Sequence, residues 1–138
     1  MSTATDHWVT LDGLRFHYVA RGAADAPVLL MLHGLRSYAE TFDEAGDALC
    51  ERFRVLALDQ RGRGRTDWDP RGDYFAERYV RDLEAFCAAL GIMRLHLLGH
   101  SMGGTHAVLF AARHPARTAS LVIEDLGPGA SAGGAGAE

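Results

Sequence analysis

"HLLGHSMGGTHAVLF", His96 to Phe110, holds the strongest fold signal in the chain. An apolar run leads into one hydroxyl, that of Ser101, set among glycines at 99, 103 and 104, and a second apolar run leaves it. The first run has the character of a buried strand. The second has that of a helix from Met102 that stops at His114-Pro115, because proline disfavours helix in the residue before it. A sharp strand-to-helix turn strains the residue at its apex and tolerates no bulk two positions before or after it, here Gly99 and Gly103. Gly104 adds clearance. The sequence Gly99-His100-Ser101-Met102-Gly103 thus has the form G-x-S-x-G, which holds a serine hydroxyl out at a helix N-terminus, where free N–H groups favour developing negative charge. Ser101 is the candidate nucleophile. The competing reading is a glycine-rich turn with an incidental serine.

Outward from this turn, strand and helix alternate. Toward the N-terminus, "HWVTL" (His7 to Leu11) and "LRFHYVA" (Leu14 to Ala20) are β-rich runs joined by Asp12-Gly13, a two-residue hairpin signal. "APVLLMLHG", "FRVLALDQRG" (Phe53 to Gly62), "RLHLLGHS" (Arg94 to Ser101) and "ASLVIEDLG" (Ala119 to Gly127) are continuous apolar runs, the pattern of strands in a parallel sheet. In "DYFAERYVRDLEAFCAALG" the residues Val80, Leu83, Cys87 and Leu90 recur at helical steps, and Gly91 stands at the C-cap position. A weaker helical pattern runs from about Ala39 to Glu51 through Phe42, Ala45 and Leu49. The expected fold is α/β: a mostly parallel sheet of about six strands with an N-terminal antiparallel hairpin, flanked by helices. Ligands then bind outside the carboxyl ends of the strands. The last residues, 127–138, are almost wholly Gly, Ala and Ser and are expected to form a mobile tail beyond a domain of residues 1–126.

With 138 residues the chain is one domain in size, and its charge of -4 includes no basic stripe. Nucleic acid and anionic membrane surfaces are therefore not expected partners. The N-terminus lacks the cationic start and apolar core of a signal peptide, and no apolar run approaches the roughly 20 residues of a membrane span, so a cytoplasmic location is expected. Cys50 and Cys87 fall in expected helices and read as reduced, buried thiols. No pattern calls for a metal or a cofactor.

His33-Gly34 closes an earlier strand at the same end of the sheet as Ser101. The backbone N–H groups of Leu35 and Met102 are the candidate oxyanion donors. His33 is expected to hydrogen-bond locally and hold that loop rather than transfer protons. Arg61, Arg63 and Arg65 stand among the glycines of "LDQRGRGRTD" and are expected to pair with acids such as Asp67 and Asp69, while Arg36 faces solvent or a substrate carboxylate.

"LHG" at 32 to 34, "DQRGRGRTD" at 59 to 67 and "GHSMGG" at 99 to 104, in that order, resemble the α/β-hydrolase fold family. The resemblance implies Ser101 as nucleophile, Leu35 and Met102 as oxyanion donors, supporting roles for His33, Gly34, Gly99, His100, Gly103 and Gly104, and strand order 1-2-4-3-5-6. It also implies that aspartate-elbow members, such as haloalkane dehalogenases and epoxide hydrolases, are excluded by the serine at 101. Compared with the family, the sequence reads as a truncated core without the last two strands, the lid and the segment that carries the catalytic histidine. None of its seven histidines, at 7, 17, 33, 96, 100, 106 and 114, stands where that base belongs, and His100 is expected to point away from Ser101 into the fold. Asp125, at the end of the sixth strand, is a candidate acid that would orient an imidazole, or else it caps the strand-end turn.

These readings lead to a serine hydrolase acting on an ester or similar acyl bond through an acyl-enzyme, with little activity from this chain alone because the base is missing. Cofactor-free perhydrolases and carbon–carbon bond hydrolases share the same nucleophile. The alternative from another class is a non-catalytic module that binds or dimerises through an open sheet edge. The expected partners are a small-molecule acyl substrate and a second chain or second copy that completes the sheet.

Overall fold

The computed structural model describes residues 4–125, so the segment 127–138 expected as a tail lies outside the described residues. Six strands form one sheet in the order β1-β2-β4-β3-β5-β6. Strand β1 (Thr5–Leu11) and β2 (Leu14–Arg21) pair antiparallel around Asp12 and Gly13, both at positive φ (52° and 77°), as a two-residue hairpin turn requires. Strand β2 pairs antiparallel with β4 (Arg54–Leu58); β4, β3 (Val28–Leu32), β5 (Leu95–His100) and β6 (Thr118–Glu124) are parallel.

Alternation along the central strands divides the core in two. Leu30, Leu32, Leu56 and Leu58 face one way, onto Val80, Leu83, Phe86 and Cys87 of helix α2 (Ala76–Leu90) and Phe110 of helix α3 (Met102–Arg113). Leu29, Met31, Val55 and Ala57 face the other way, onto Ala39, Phe42 and Cys50. The weak helical pattern after β3 resolves into a short 3-10 turn, Ala39–Phe42, and helix α1 (Asp43–Leu49). Ala45, expected on its inner face, is exposed; Gly46 is buried instead, packed closely under the Arg21 side chain. Gly91 ends α2 at φ 69°, donating to the Ala88 and Cys87 carbonyls. Both cysteines are free and buried, and burial pushes the Cys87 thiol up to about 11.

Coverage of the sheet is unequal. Strands β3 and β4 are buried on both faces, whereas on β5 only Leu95, Leu97 and Gly99 are covered, by α3; His96, Leu98 and His100, on the opposite face, are half-buried. Strand β6, which has the apolar pattern of the buried strands but is expected at an open sheet edge, is mostly exposed, with Val122 at 51% and Ile123 at 41%, and among the described residues it pairs on one side only. Among the described residues no helix is long and apolar enough to cross a membrane.

Candidate functional site

The turn from β5 into α3 puts Ser101 at φ 51° and ψ -113°, a conformation that costs a non-glycine residue about 1–3 kcal/mol. Its backbone is tied on both sides: the Ser101 N–H donates to the Glu124 carbonyl at 2.9 Å, and the Ser101 carbonyl accepts from the Thr105 N–H at 3.2 Å. The flanking glycines are required by contact. A Cβ at Gly99 would lie 2.6 Å from the Gly103 carbonyl carbon and from Gly104 Cα, and one at Gly103 would strike the Leu32 carbonyl oxygen and lie 2.7 Å from that of His33. The first turn of α3 therefore sits directly on the ends of β3 and β5.

Register makes β3 and β5 exit together. Leu32 lies opposite Gly99, so Leu35 and Met102, each three residues further on, leave adjacent strands at the same level. A β-turn follows β3, closed by the Ser37 N–H donating to the Gly34 carbonyl at 3.1 Å, with Leu35 at its second position and Arg36 at φ 61°. Among the described residues the Leu35 and Met102 amides donate no hydrogen bond, and no side chain bonds the Ser101 hydroxyl. Arg36 is exposed to solvent.

None of the seven histidines bonds the Ser101 hydroxyl, and all but His100 are hydrogen-bonded elsewhere. His7 bonds Thr5, His17 lies between Asp6 and Asp59, His96 bonds Ser120, and His114 bonds Glu84. His33, fully buried, accepts from the Gln60 N–H at Nε2 (3.0 Å), so its proton is on Nδ1 and is donated to the Gly34 carbonyl at 2.9 Å. Burial lowers its pKa and keeps it neutral. His100 departs from expectation. Rather than pointing into the fold, it lies over Gly34, is 38% exposed, and faces Asp125 with Nε2 at 3.8 Å from Oδ2, beyond hydrogen-bond length. The strand runs past the helix-covered part of the sheet here, so the ring stays part exposed. Asp125 itself stands at φ 59° with its side chain 83% exposed, next to the residue that holds the Ser101 amide. An open cleft of about 720 Å³ lies alongside, lined by Phe42, Glu44, Ala48, His100, Glu124 and Asp125 among others, with Ser101 outside its lining.

The loop after β4 is more closed than its sequence suggests. Arg61 is fully buried, donating twice to Asp82 (both 2.8 Å) and once to Asp69 (2.7 Å). Burial works against ionisation of Asp69, yet the amide and guanidinium of Arg71, together with Arg61, hold its carboxyl at about 2. Asp67 pairs with none of the three arginines; its carboxylate accepts from the Arg15 N–H at 2.8 Å, because the loop lies along β2. Arg65 bonds Glu40 at 2.8 Å.

Gln60 and Tyr79 carry no sequence signal of a role, and His106 is marked there only as a histidine out of place for the base. All three are buried at the back of the turn, with Tyr79 stacked on the His106 ring at 4.3 Å. The signal for His106 was its spacing: with Gly103 and Phe110 it forms the inward stripe of α3. Among the described residues one group has ligand-like spacing for a metal, Asp6, His17 and Glu40. The Arg65 guanidinium already supplies positive charge there, at 2.8 Å from Glu40 and 3.6 Å from Asp6, and both His17 nitrogens are engaged.

A family model described as the alpha/beta hydrolase fold matches residues 27–131. Epoxide hydrolase 3 of Xenopus tropicalis is 38% identical over 80% of this chain and 30% of its own length. N-formylmaleamate deformylase of Pseudomonas putida is 37% identical over 88% of this chain and 46% of its own. An alpha/beta hydrolase of Novosphingobium aromaticivorans superposes with a TM-score of 0.86 at 39% identity, over 93% of this chain and 46% of that one. The chain thus spans less than half the length of each.

Proposed function

The chain belongs to the α/β-hydrolase fold family, and from that premise we propose that it carries the nucleophile and oxyanion half of a serine hydrolase that cleaves an ester or amide acyl bond. The observation that carries this reading is Ser101 itself: a non-glycine residue kept at φ 51° between two glycines that admit no side chain, with its hydroxyl free of any described side chain. In the proposed reaction Ser101 Oγ attacks the acyl carbon and gives its proton to a base. The tetrahedral oxyanion accepts hydrogen bonds from the Leu35 and Met102 N–H groups, the leaving group departs with a proton, and water then releases the acid. The base is an imidazole other than those of the described residues, none of which bonds the Ser101 hydroxyl. Asp125 is the acid that would orient it.

Similarity to epoxide hydrolase 3 is not taken to carry that protein's activity here, because position 101 is serine rather than the aspartate expected of that branch. The deformylase relative supports an acyl bond as the substrate class. A second reading is favoured by the open edge of β6, whose exposed Val122 and Ile123 suit pairing with a second chain or a second copy. The two readings are compatible.

Incubation with a fluorophosphonate, with and without added imidazole as an external base, followed by peptide mass mapping, tests the first. The expected result is one adduct on Ser101, absent in Ser101→Ala and faster with imidazole. Labelling elsewhere, or none under either condition, sinks the serine-hydrolase reading.

A further inference from the structure

Three buried side chains from three separate segments join behind the turn that carries Leu35. The Gln60 side-chain N–H donates to the His33 carbonyl at 2.9 Å, and the Gln60 backbone N–H donates to His33 Nε2 at 3.0 Å. This pair of bonds fixes the orientation of the Gln60 amide, since the end facing a carbonyl must be its NH2. Its oxygen Oε1 therefore faces Nδ1 of His106, 2.6 Å away, and can only accept there. The proton of His106 is accordingly on Nδ1. Its Nε2 is a bare lone pair, buried without a partner among the described residues.

We propose that His106 is a positioning residue for the oxyanion turn: through Gln60 it fixes the His33–Leu35 backbone, and with it the Leu35 N–H, against the helix that begins beside Ser101. The proposal rests on reading Ser101 and Leu35 as nucleophile and oxyanion donor. Its physical basis is connectivity. His106 belongs to α3, one turn beyond the nucleophile; Gln60 follows β4; His33 follows β3. The chain of bonds His106 to Gln60 to His33 to Gly34 is the polar link that holds these segments at one distance, and it ends on the carbonyl that also accepts from Ser37 to close the turn. Packing alone does not call for an imidazole here. An apolar side chain of similar size would stack on Tyr79 without leaving a buried nitrogen unpaired, but it would also leave Gln60 Oε1 without its donor.

Two substitutions separate positioning from packing. His106→Phe keeps a ring against Tyr79 and removes the donor; His106→Asn keeps an N–H donor near the Nδ1 position and removes the ring. Three quantities are read: the rate of fluorophosphonate labelling at Ser101 per folded molecule, the hydrogen-exchange rate of the Ser37 amide that closes the turn, and the melting temperature. The expected result is labelling about 10-fold slower and Ser37 exchange about 10-fold faster in the Phe variant, with Asn within about 3-fold of the parent on both, whichever variant melts lower. If labelling and exchange follow melting temperature in both variants, His106 is a packing residue and the proposal fails. Nitrogen NMR of the unsubstituted protein gives an answer that needs no variant to fold: a His106 proton on Nε2 instead of Nδ1 overturns it. If Ser101 of the parent does not label at all, the serine-hydrolase reading fails by itself, and the Ser37 exchange rates still decide whether His106 holds the turn.

Discussion

Two loops leave the same end of the sheet, one after β4 and one after β5, and they treat polar groups in opposite ways. After β4, charge is buried and answered. Arg61 has no exposed surface and bonds Asp69 and Asp82, while Asp59, equally buried, accepts from His17 Nδ1 and from the amides of Ala39 and Arg65. After β5 the backbone is tied down but the side chain at the apex is left without a described partner, on strained angles. The first loop spends its polar groups on holding itself together; the second keeps one in reserve. Rigidity and the proposed reactivity are thus placed on the ends of β4 and β5, the two strands that flank β3, with Gln60 and His33 connecting them.

The contrast is broken most severely by removing the cation of the closed loop. Arg61→Met leaves Asp82 buried with only Arg78 nearby and Asp69 with Arg71 alone, and should destabilise the protein by about 3–5 kcal/mol in denaturant unfolding. A loss below about 1 kcal/mol would mean that water replaces the guanidinium and that the loop is not closed. Gly103→Ala attacks the other side. Its Cβ would meet the Leu32 carbonyl, backbone that cannot swing away, so a cost of about 1–3 kcal/mol is expected together with loss of Ser101 labelling.

Acid separates the two loops by pH. Burial holds the His106 pKa down at about 3 against an ordinary value of 6.5, so between those values the unfolded chain binds a proton that the folded one does not. Stability should therefore fall as pH drops below about 6.5, by up to about 1.4 kcal/mol per pH unit, and the slope should flatten in His106→Phe. Asp69, held at about 2 against 3.8, adds its own loss only below about pH 4, as protonation of its carboxyl undoes its ion pairs. Unfolding measured from about pH 7 to about pH 2 covers both windows, with the His106 loss beginning first. The smallest effect is a gain. Ser101→Gly relieves the positive φ and should raise stability by about 1 kcal/mol while abolishing labelling; unchanged or lower stability would show that the turn is not strained.

Much of this arrangement was legible in the sequence, for identifiable reasons. Asp12-Gly13, the apolar runs ending at Leu32, Leu58 and His100, and Gly91 are local signals, and local geometry determines what they become. The glycines around Ser101 were legible because a Cβ there meets backbone whatever the side chains nearby. Long-range pairing was not. The partners of Arg61 come from residues 12, 69 and 82, in three different segments, while Asp67, nearer in sequence than any of them, accepts from the Arg15 N–H instead. His100 and His106 were indistinguishable as letters, yet one projects from the uncovered face of β5 and the other from the inward stripe of α3. Which face is covered depends on how far the helices reach across the sheet, and no short stretch of sequence contains that information.

The bond from the Ser101 amide to the Glu124 carbonyl links the apex of the turn to the outermost strand described. Edge strands open at low free energy compared with a buried core. Each fraying event at the end of β6 therefore also releases the backbone of Ser101, the proposed nucleophile, while a strand docked along that edge would damp the motion. The hydroxyl is steadied from outside the core, and the outermost strand works as its brake.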